Sequence, residues 1–460
     1  MERVSALVMA LICGINVLYG CTPGKPVNSE PADSVAARPS ESAVSAAPVS
    51  HTPVGNPVTL NTFSSFAGND GNALKYQTYT AQWQEKTGNK LNDTSAVIEE
   101  TVKARIRTDF SAGAEPDVLF YFTGVDANEF LDKVMTIEEI RKEFPDYAAN
   151  MKESAVPVSA AGVWYAVPVN GFWENLFVNK KVLQMAGVAI PGIGYTWDRF
   201  LTDCQKIKDA GLTPIAASFV DVPHYWWEFT IFNNTSPRTH LNIPGDISDD
   251  AGKAWIAGMK DIKEIYDRGF FPENALSEKD DAMQELFYND KAAFMLDGSW
   301  RVNALKVRSS DAYNEVDPDK IKNFSVASFP SKGFGRKSTD MIGGMSMGWY
   351  ITKKCWNDPD KKAAAVDFIT FVTSDAVVSD FTGTGASALK NGVILDPGEL
   401  DALDNDVIKV NTNATTFTAP VQDLIAGDVR NAMFQNIPQT LIGKMTAEDL
   451  IGQFVASYNQ

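Results

Sequence analysis

In VTLNTF (58–63), Val58, Leu60 and Thr62 alternate with Thr59, Asn61 and Phe63, a period of two that predicts a strand. After the polar turn SSFAGNDG, Tyr76, Tyr79 and Trp83 recur at helical spacing, and Gly88 closes that helix. Ile98, Val102, Ile106 and Phe110 repeat every fourth position, a helix face suited to packing on a sheet. Pro116 breaks the chain and DVLFYF (117–122) reads as a second buried strand. Strand, helix, helix, strand predicts an α/β unit built on a parallel sheet.

Further on, VWYAVPVNG (163–171) is extended because Pro168 bars a helix, and ENLFVNKK (174–181) continues as a strand. Thr196 is placed to cap a helix whose inner face is Phe200, Cys204 and Ile207, with Asp198 well placed against the helix dipole and Gly211 at its end. TPIAAS (213–218) is strand-like, and Trp255, Met259, Ile262 and Tyr266 mark another helix before Gly269. AAFMLDGSW, FSVASFP (324–330) and SMGWYIT (346–352) read as strands, followed by a helix through Ala363, Val366, Ile369 and Phe371. From Ala386 to Gln460 the pattern is mostly helical, and no internal repeat is visible. Alternating elements over this length predict two α/β lobes.

The N-terminus changes the picture. Arg3 is followed by an apolar run, Val4–Tyr19, too short and too poorly flanked for a good transmembrane span. It ends on Leu18-Tyr19-Gly20-Cys21, which resembles the lipobox of bacterial lipoproteins, although Tyr19 is larger than the usual small residue. Residues 1–20 are therefore expected to be a signal peptide, and Cys21 the lipidated first residue of an exported, lipid-anchored chain. Residues 22–57 contain no aromatic residue and no Leu, Ile or Met, so they cannot bury enough apolar surface to order themselves and read as a tether.

The chain has 460 residues, 44% of them hydrophobic, enough for two full cores. A formal charge of −17 argues against nucleic acid, whose phosphates are bound by Lys and Arg, and against a basic patch for anionic membranes. Beyond Cys13 and Cys21, only Cys204 and Cys355 remain, which allows at most one disulfide. No CxxC or Cys/His cluster offers a zinc site, and no cofactor motif is legible. GFGRKST (333–339) has the wrong spacing for a phosphate loop and reads as a polar loop. VDPDK (316–320) and NDPDK (357–361) lack the Gly and Glu of a calcium loop and read as solvated turns. Gly344-Met345-Ser346-Met347-Gly348 fits the G-x-S-x-G elbow of serine hydrolases. That elbow needs a helix after the serine and a later His, whereas a strand follows and His51, His224 and His240 all precede Ser346. A close-packed glycine crossing beside a cleft is the better reading. A carboxylate pair for glycoside chemistry stays open, because its separation is set in three dimensions.

Several segments, in order, resemble the extracellular solute-binding proteins of ABC importers, in particular the sugar-binding family that includes maltose-binding protein. They are ARIRTDFSAGAEPDVLFY, YAVPVNGFWENLFVNKKVLQMAGV, YTWDRFLTDCQKIKDAGLTPIA, FYNDKAAFMLDGSW, GGMSMGWYITKK and KKAAAVDFITFVTS. The resemblance covers nearly everything from Val58 to about Leu389, and the tail matches only loosely. The resemblance implies two α/β lobes joined by hinge strands, with a ligand cleft between them. The first lobe would hold 58–169 plus about 331–385, and the second 170–330 plus about 386–460. It implies a monomeric, non-catalytic receptor without cofactor that closes over a mono- or oligosaccharide and delivers it to a membrane permease.

By the same resemblance, Asp70 matches an early-loop carboxylate and Tyr121 a stacking aromatic, with Asn170, Phe172 and Trp173 following the Tyr-x-x-Pro segment. Asp221, Tyr225 and Trp226 lie in the aromatic-rich SFVDVPHYWWEF, and Asp297, Ser299 and Trp300 end the strand that delivers a stacking Trp. Gly344 and Met345 stand at the edge of the crossover. Aromatic faces for sugar C–H groups and Asp, Asn and Ser for hydroxyls suit such a ligand. Arg301 is expected to point away from the cleft, and an anionic sugar is its other use. An extracytoplasmic sugar sensor on the same fold and a surface glycoside hydrolase are the competing readings.

Overall fold

A computed structural model describes residues 57–68, 70–152, 162–221, 224–306, 318–393, 395–396, 398 and 400–459. The expected signal peptide, Cys21, the tether up to Asn56, His51 and the first residues of VDPDK lie outside the described residues. In chain order the strands are β1 (Thr59–Phe63), β2 (Lys90–Asp93), β3 (Val118–Phe122), β4 (Phe172–Asn179) and β5 (Thr213–Ala216). They continue with β6 (Ala292–Gly298), β7 (Phe324–Ala327), β8 (Asp340–Gly344), β9 (Met347–Ile351) and β10 (Thr416–Thr418). Two sheets result, one ordered β2-β1-β3-β9 and the other β10-β8-β4-β6-β5, with β7 also on β4.

Neither sheet is purely parallel. β1 runs parallel to β2 and β3, but β9 lies antiparallel to β3, and β4 is antiparallel to β6, β7 and β8. The reason is topological: β9 comes straight from the other sheet through a short link, whereas a parallel neighbour would need a helical crossover.

Alternation along β3 separates two cores. Val118 and Phe120 pack with Leu60, Trp83, Trp349 and Phe368, while Leu119 and Tyr121 pack with Phe63, Ile106, Phe110 and Phe130. Helices Ala73–Thr87 and Pro359–Val372 cover the first face and are tied by Trp83 Nε1, which donates to Asp367 at 2.7 Å. Gly88 closes the first of them in the left-handed conformation its φ of 76° requires. Helix Glu100–Ala112 covers the second face.

β4 is the central strand of the larger sheet and is buried from Trp173 to Asn179. Leu176 and Val178 face helices Trp197–Asp209, His224–Phe232 and Asp250–Asp267, while Trp173 and Phe177 face helices Asp280–Tyr288 and Ala402–Thr412. The Thr196 cap forms as expected, accepting from the Arg199 N–H, and Phe200, Cys204 and Ile207 are fully buried beneath it. Cys204 and Cys355 are free and lie in separate cores, so they form no disulfide with each other.

The chain crosses between sheets in the stretch from Val167, bridged to Trp349 of β9, to Phe172 at the start of β4. It returns between Gly344 and Met347 and crosses again beyond Leu389, which is still bridged to Met151. The return therefore falls later than residue 331, because β8 is hydrogen-bonded into the larger sheet through β4 and β10. The tail is helical as expected apart from β10. No helix among the described residues is long and apolar enough to cross a membrane.

Candidate functional site

The crossings meet at Gly171. Its N–H donates to the Ala386 carbonyl at 2.8 Å, and a Cβ there would stand 2.8 Å from Met345 Cε and 2.9 Å from the Gly344 carbonyl. Gly344 pairs with Phe172 in the β4–β8 ladder, so Gly344 and Met345 both lie at this junction. Ser346 is followed by β9 rather than by a helix, and its carbonyl accepts from the Thr123 N–H. The G-x-S-x-G sequence is thus a crossing and not a nucleophile elbow. Asn170 lines a cavity of about 200 Å³ beside it, together with Asn72, Ser299, Trp300 and Thr384.

Trp300 stands at the centre of the site. β6 ends at Gly298, the Ser299 N–H donates to the Trp173 carbonyl at 2.8 Å, and helix Trp300–Lys306 starts at once. The half-buried Trp300 ring has its centroid 6.2 Å from Phe172 and 6.3 Å from Tyr225, both tilted by about 40°. It lies against Gly298, where an added Cβ would meet ring carbons at 2.1–2.4 Å. From the other sheet's side, the turn carrying Asp70 closes on this point. A Cβ on Gly71 would stand 2.4 Å from the Trp300 carbonyl, and Asn303 Nδ2 donates to Asn72 Oδ1 at 3.1 Å. Asp70 accepts from the Asn72 N–H at 2.8 Å. Burial pushes its carboxyl up to about 6, against the pull of that N–H and of Arg301.

Other expected contacts are placed differently. Tyr121 is fully buried among Phe122, Phe130 and its core neighbours, Trp173 stacks on Phe177 behind β4, and Trp226 is enclosed by Phe200, Phe271 and Phe329. These three rings are core residues, with no open face for a ligand. For Trp173 the cause is the pleat: Phe172 and Trp173 point to opposite faces, and Phe172 takes the side of Trp300. Asp297 is buried, with Oδ1 accepting from the Gly298 N–H and Oδ2 from Arg301 Nε, each at 2.7 Å. Arg301, expected to turn away, is buried at this pair and also donates to the Tyr288 hydroxyl at 3.1 Å. Asp221 holds the loop, accepting from Ser218 Oγ and the Asp280 N–H. Burial pushes Asp280 up to about 7, with Asp297 adding to the rise.

Sequence reasoning missed a second group of residues. Glu174 is 2% exposed in mid-strand, its Oε2 has no hydrogen-bond partner among the described residues, and burial lifts its carboxyl well above the usual range, helped by Glu228, Asp423 and Asp297. A charged residue inside the apolar run FWENLFV was the available signal. Glu228 accepts from the Val421 and Gln422 N–H groups at 2.9 and 2.7 Å and lies 3.3 Å from His240. Burial pushes Asp423 up to about 7 and His224 down to about 3. His224 stacks on Phe434 at 5.7 Å and meets Tyr225 edge-on at 4.5 Å. The two sides are also tied by charge: Arg430 lies 3.1 Å from Asp126 and 3.2 Å from Glu100, and Lys103 is 3.2 and 2.9 Å from the same acids. No group of His, Cys, Asp and Glu among the described residues is arranged to hold a metal ion.

Comparison with known proteins accords with this architecture. A probable sugar-binding periplasmic protein of Rhizobium meliloti (strain 1021) is 23% identical over 312 residues, 64% of this chain and 68% of that protein. A chitin oligosaccharide binding protein superposes with a TM-score of 0.74 at 20% identity, over 88% of this chain and 99% of the other. An ABC substrate-binding protein from Listeria monocytogenes, in complex with cycloalternan, does so at 0.68 and 16% identity, over 88% and 98%. At these identities the superpositions establish a shared fold. Residues 68–378 match the model of the bacterial extracellular solute-binding proteins, and this chain belongs to that family.

Proposed function

We propose that the chain is the carbohydrate receptor of an ABC importer, capturing a mono- or oligosaccharide between its two lobes and presenting it to a membrane permease. The observation that carries the reading is the gathering of Trp300, Phe172 and Tyr225, three half-buried rings, beside Asp70 and Asn72 from the opposite side. Rings of this kind supply apolar faces for the C–H sides of a sugar, and the carboxylate and amide supply hydroxyl partners. The names of the similar proteins, which bind chitin oligosaccharide or hold cycloalternan, favour the same ligand class. Asp70, Asn170, Phe172, Tyr225, Ser299 and Trp300 are assigned to the ligand cleft, with Gly344 and Met345 at its hinge. Asp221 and Asp297 support it from behind.

We take the first lobe as 57–169 with 347–389 and the second as 170–344 with the tail, a division supported by where the strands pair. Residues 1–20 act as a signal peptide and Cys21 carries the lipid, so that residues 22–56 tether a monomeric receptor to the outer face of the cytoplasmic membrane. No turnover is expected, because binding shifts the hinge equilibrium only through contacts that differ between open and closed states. Tryptophan-fluorescence titration of the purified protein with saccharides, organic anions and amines tests the assignment. Saturable quenching by a sugar without release of hydrolysis products supports it. A response confined to organic anions, or steady oligosaccharide cleavage, contradicts it.

A further inference from the structure

Among the described residues, no cation pairs with Glu174 in the acidic interior beside Trp300. Glu174 stands directly opposite Gly298 in the β4–β6 ladder, and Gly298 is the residue whose missing Cβ is replaced by the Trp300 ring. Cross-strand neighbours lie about 5 Å apart at Cβ, so Glu174 sits beside that ring. It also shares a strand face with Phe172, two residues earlier, which is the face turned towards Trp300. Its Oε2 is buried without a hydrogen-bond partner among the described residues. Around it stand Asp297 on β6, Glu228 and Tyr225 on helix His224–Phe232, and Asp423 on the turn Val421–Leu424. The nearby cations are engaged elsewhere: Arg301 pairs with Asp297, and Lys103 and Arg430 pair with Glu100 and Asp126. His224 stays neutral because of its burial and the proximity of Lys103 and Arg430.

We infer that Glu174 forms a subsite for a ligand ammonium group, so that the preferred carbohydrate is an amino sugar with a free amine stacked on Trp300. The inference rests on the carbohydrate reading above. A hydroxyl would satisfy one oxygen of Glu174 but leave its carboxyl protonated, because ionising it beside Glu228, Asp423 and Asp297 stays costly. An ammonium satisfies the oxygen and offsets that cost. Charge-assisted pairing of this kind draws the proton off the carboxyl, so binding the amine near neutral pH releases a proton that a neutral sugar does not.

The test is calorimetry of the full chain with glucosamine, N-acetylglucosamine and glucose, and with the three matching galactose compounds, each in two buffers of different ionisation enthalpy. An amine bound about tenfold or more tighter than its hydroxyl parent, with release of about one proton, is the expected result. In Glu174→Gln the ratio of amine to hydroxyl affinities should fall towards one. A merely structural role would lower all affinities together and keep the ratio. Asp423→Asn, which removes a neighbouring carboxylate without touching β4, should lower the ratio partway. Equal or tighter binding of the neutral sugars, or an unchanged ratio in Glu174→Gln, overturns the amine subsite and leaves the receptor reading standing. Silence from every sugar, amino or neutral, overturns both.

Discussion

Replacing Arg430 by Met removes a guanidinium that is 1% exposed and joins helix Gly427–Leu441 to Asp126 and Glu100 at 3.1 and 3.2 Å. Breaking a buried ion pair from one side costs about 3–5 kcal/mol when the remaining charge is stranded. Here Lys103 stays 3.2 Å from Asp126 and 2.9 Å from Glu100, and the Glu100 side chain is 35% exposed, so neither acid loses every partner. The expected loss is therefore at or just below that range, about 2–3 kcal/mol. Removing Lys103 as well leaves Asp126, 9% exposed, without a cation, so the double variant Arg430→Met/Lys103→Met should lose more than the sum of the single losses. Urea unfolding followed by tryptophan fluorescence and far-UV circular dichroism measures each loss, and a cycle with Asp126→Asn isolates the pair. The coupling should persist in high salt, because buried pairs are screened little. A loss below about 0.5 kcal/mol for Arg430→Met, the level of an ordinary surface change, would refute the reasoning. So would a coupling to Asp126 near zero.

Stability should fall between pH 6.5 and 8. Folded Asp280 and Asp423 keep their protons up to about 7 while their ordinary value is 3.8, so the folded state binds more protons in that window and loses stability as they leave. His224 works in the opposite direction, but only below its ordinary 6.5, so it does not mask the effect. The two aspartates account for about 1 kcal/mol after allowance for their partial exposure, with Glu174 adding to it. Urea midpoints across the window check this, Asp423→Asn should flatten the slope, and a rising curve would contradict the assignment. Gly298→Ala places a Cβ 2.1 Å from the Trp300 ring, so that ring must leave its position. Calorimetry should then show at least about tenfold weaker ligand binding, with a stability loss of about 1–3 kcal/mol. Thr196→Ala should cost about 1 kcal/mol in denaturant by removing the cap on the Arg199 N–H, with ligand affinity unchanged.

The strands and helices with strong periodicity were legible in the sequence, as were their punctuation marks at Gly88, Thr196, Gly211 and Gly269. β2 was not, because Lys90–Asp93 is a short polar edge strand without a buried face, and β10 spans only Thr416–Thr418. The antiparallel partners of β3 and β4 were also hidden, since pairing partners distant in sequence leave no local trace. At the proposed site, Trp300 and the turn at Asp70 are legible as candidates because a strand and a turn deliver them in a fixed order. Phe172 and Trp173 could not be separated, since a strand buried on both faces does not say which face meets the cleft. The commitment of Asp297 to Arg301 depends on a helix beginning immediately after β6, which turns Arg301 inward. Glu174 is masked by its place between aromatic candidates and a run of apolar residues, although burying an acid there is the sharper anomaly.

The most direct test of the central claim is a calorimetric and thermal-shift comparison of the protein with its Trp300→Ala variant across neutral, amino and acidic saccharides. At about a hundred times its dissociation constant, a bound sugar should stabilise the native protein by about 2.7 kcal/mol. That stabilisation should vanish in Trp300→Ala while the unliganded variant still unfolds cooperatively. A sugar that stabilises both proteins equally, or no response to any saccharide, would contradict a carbohydrate cleft built on Trp300.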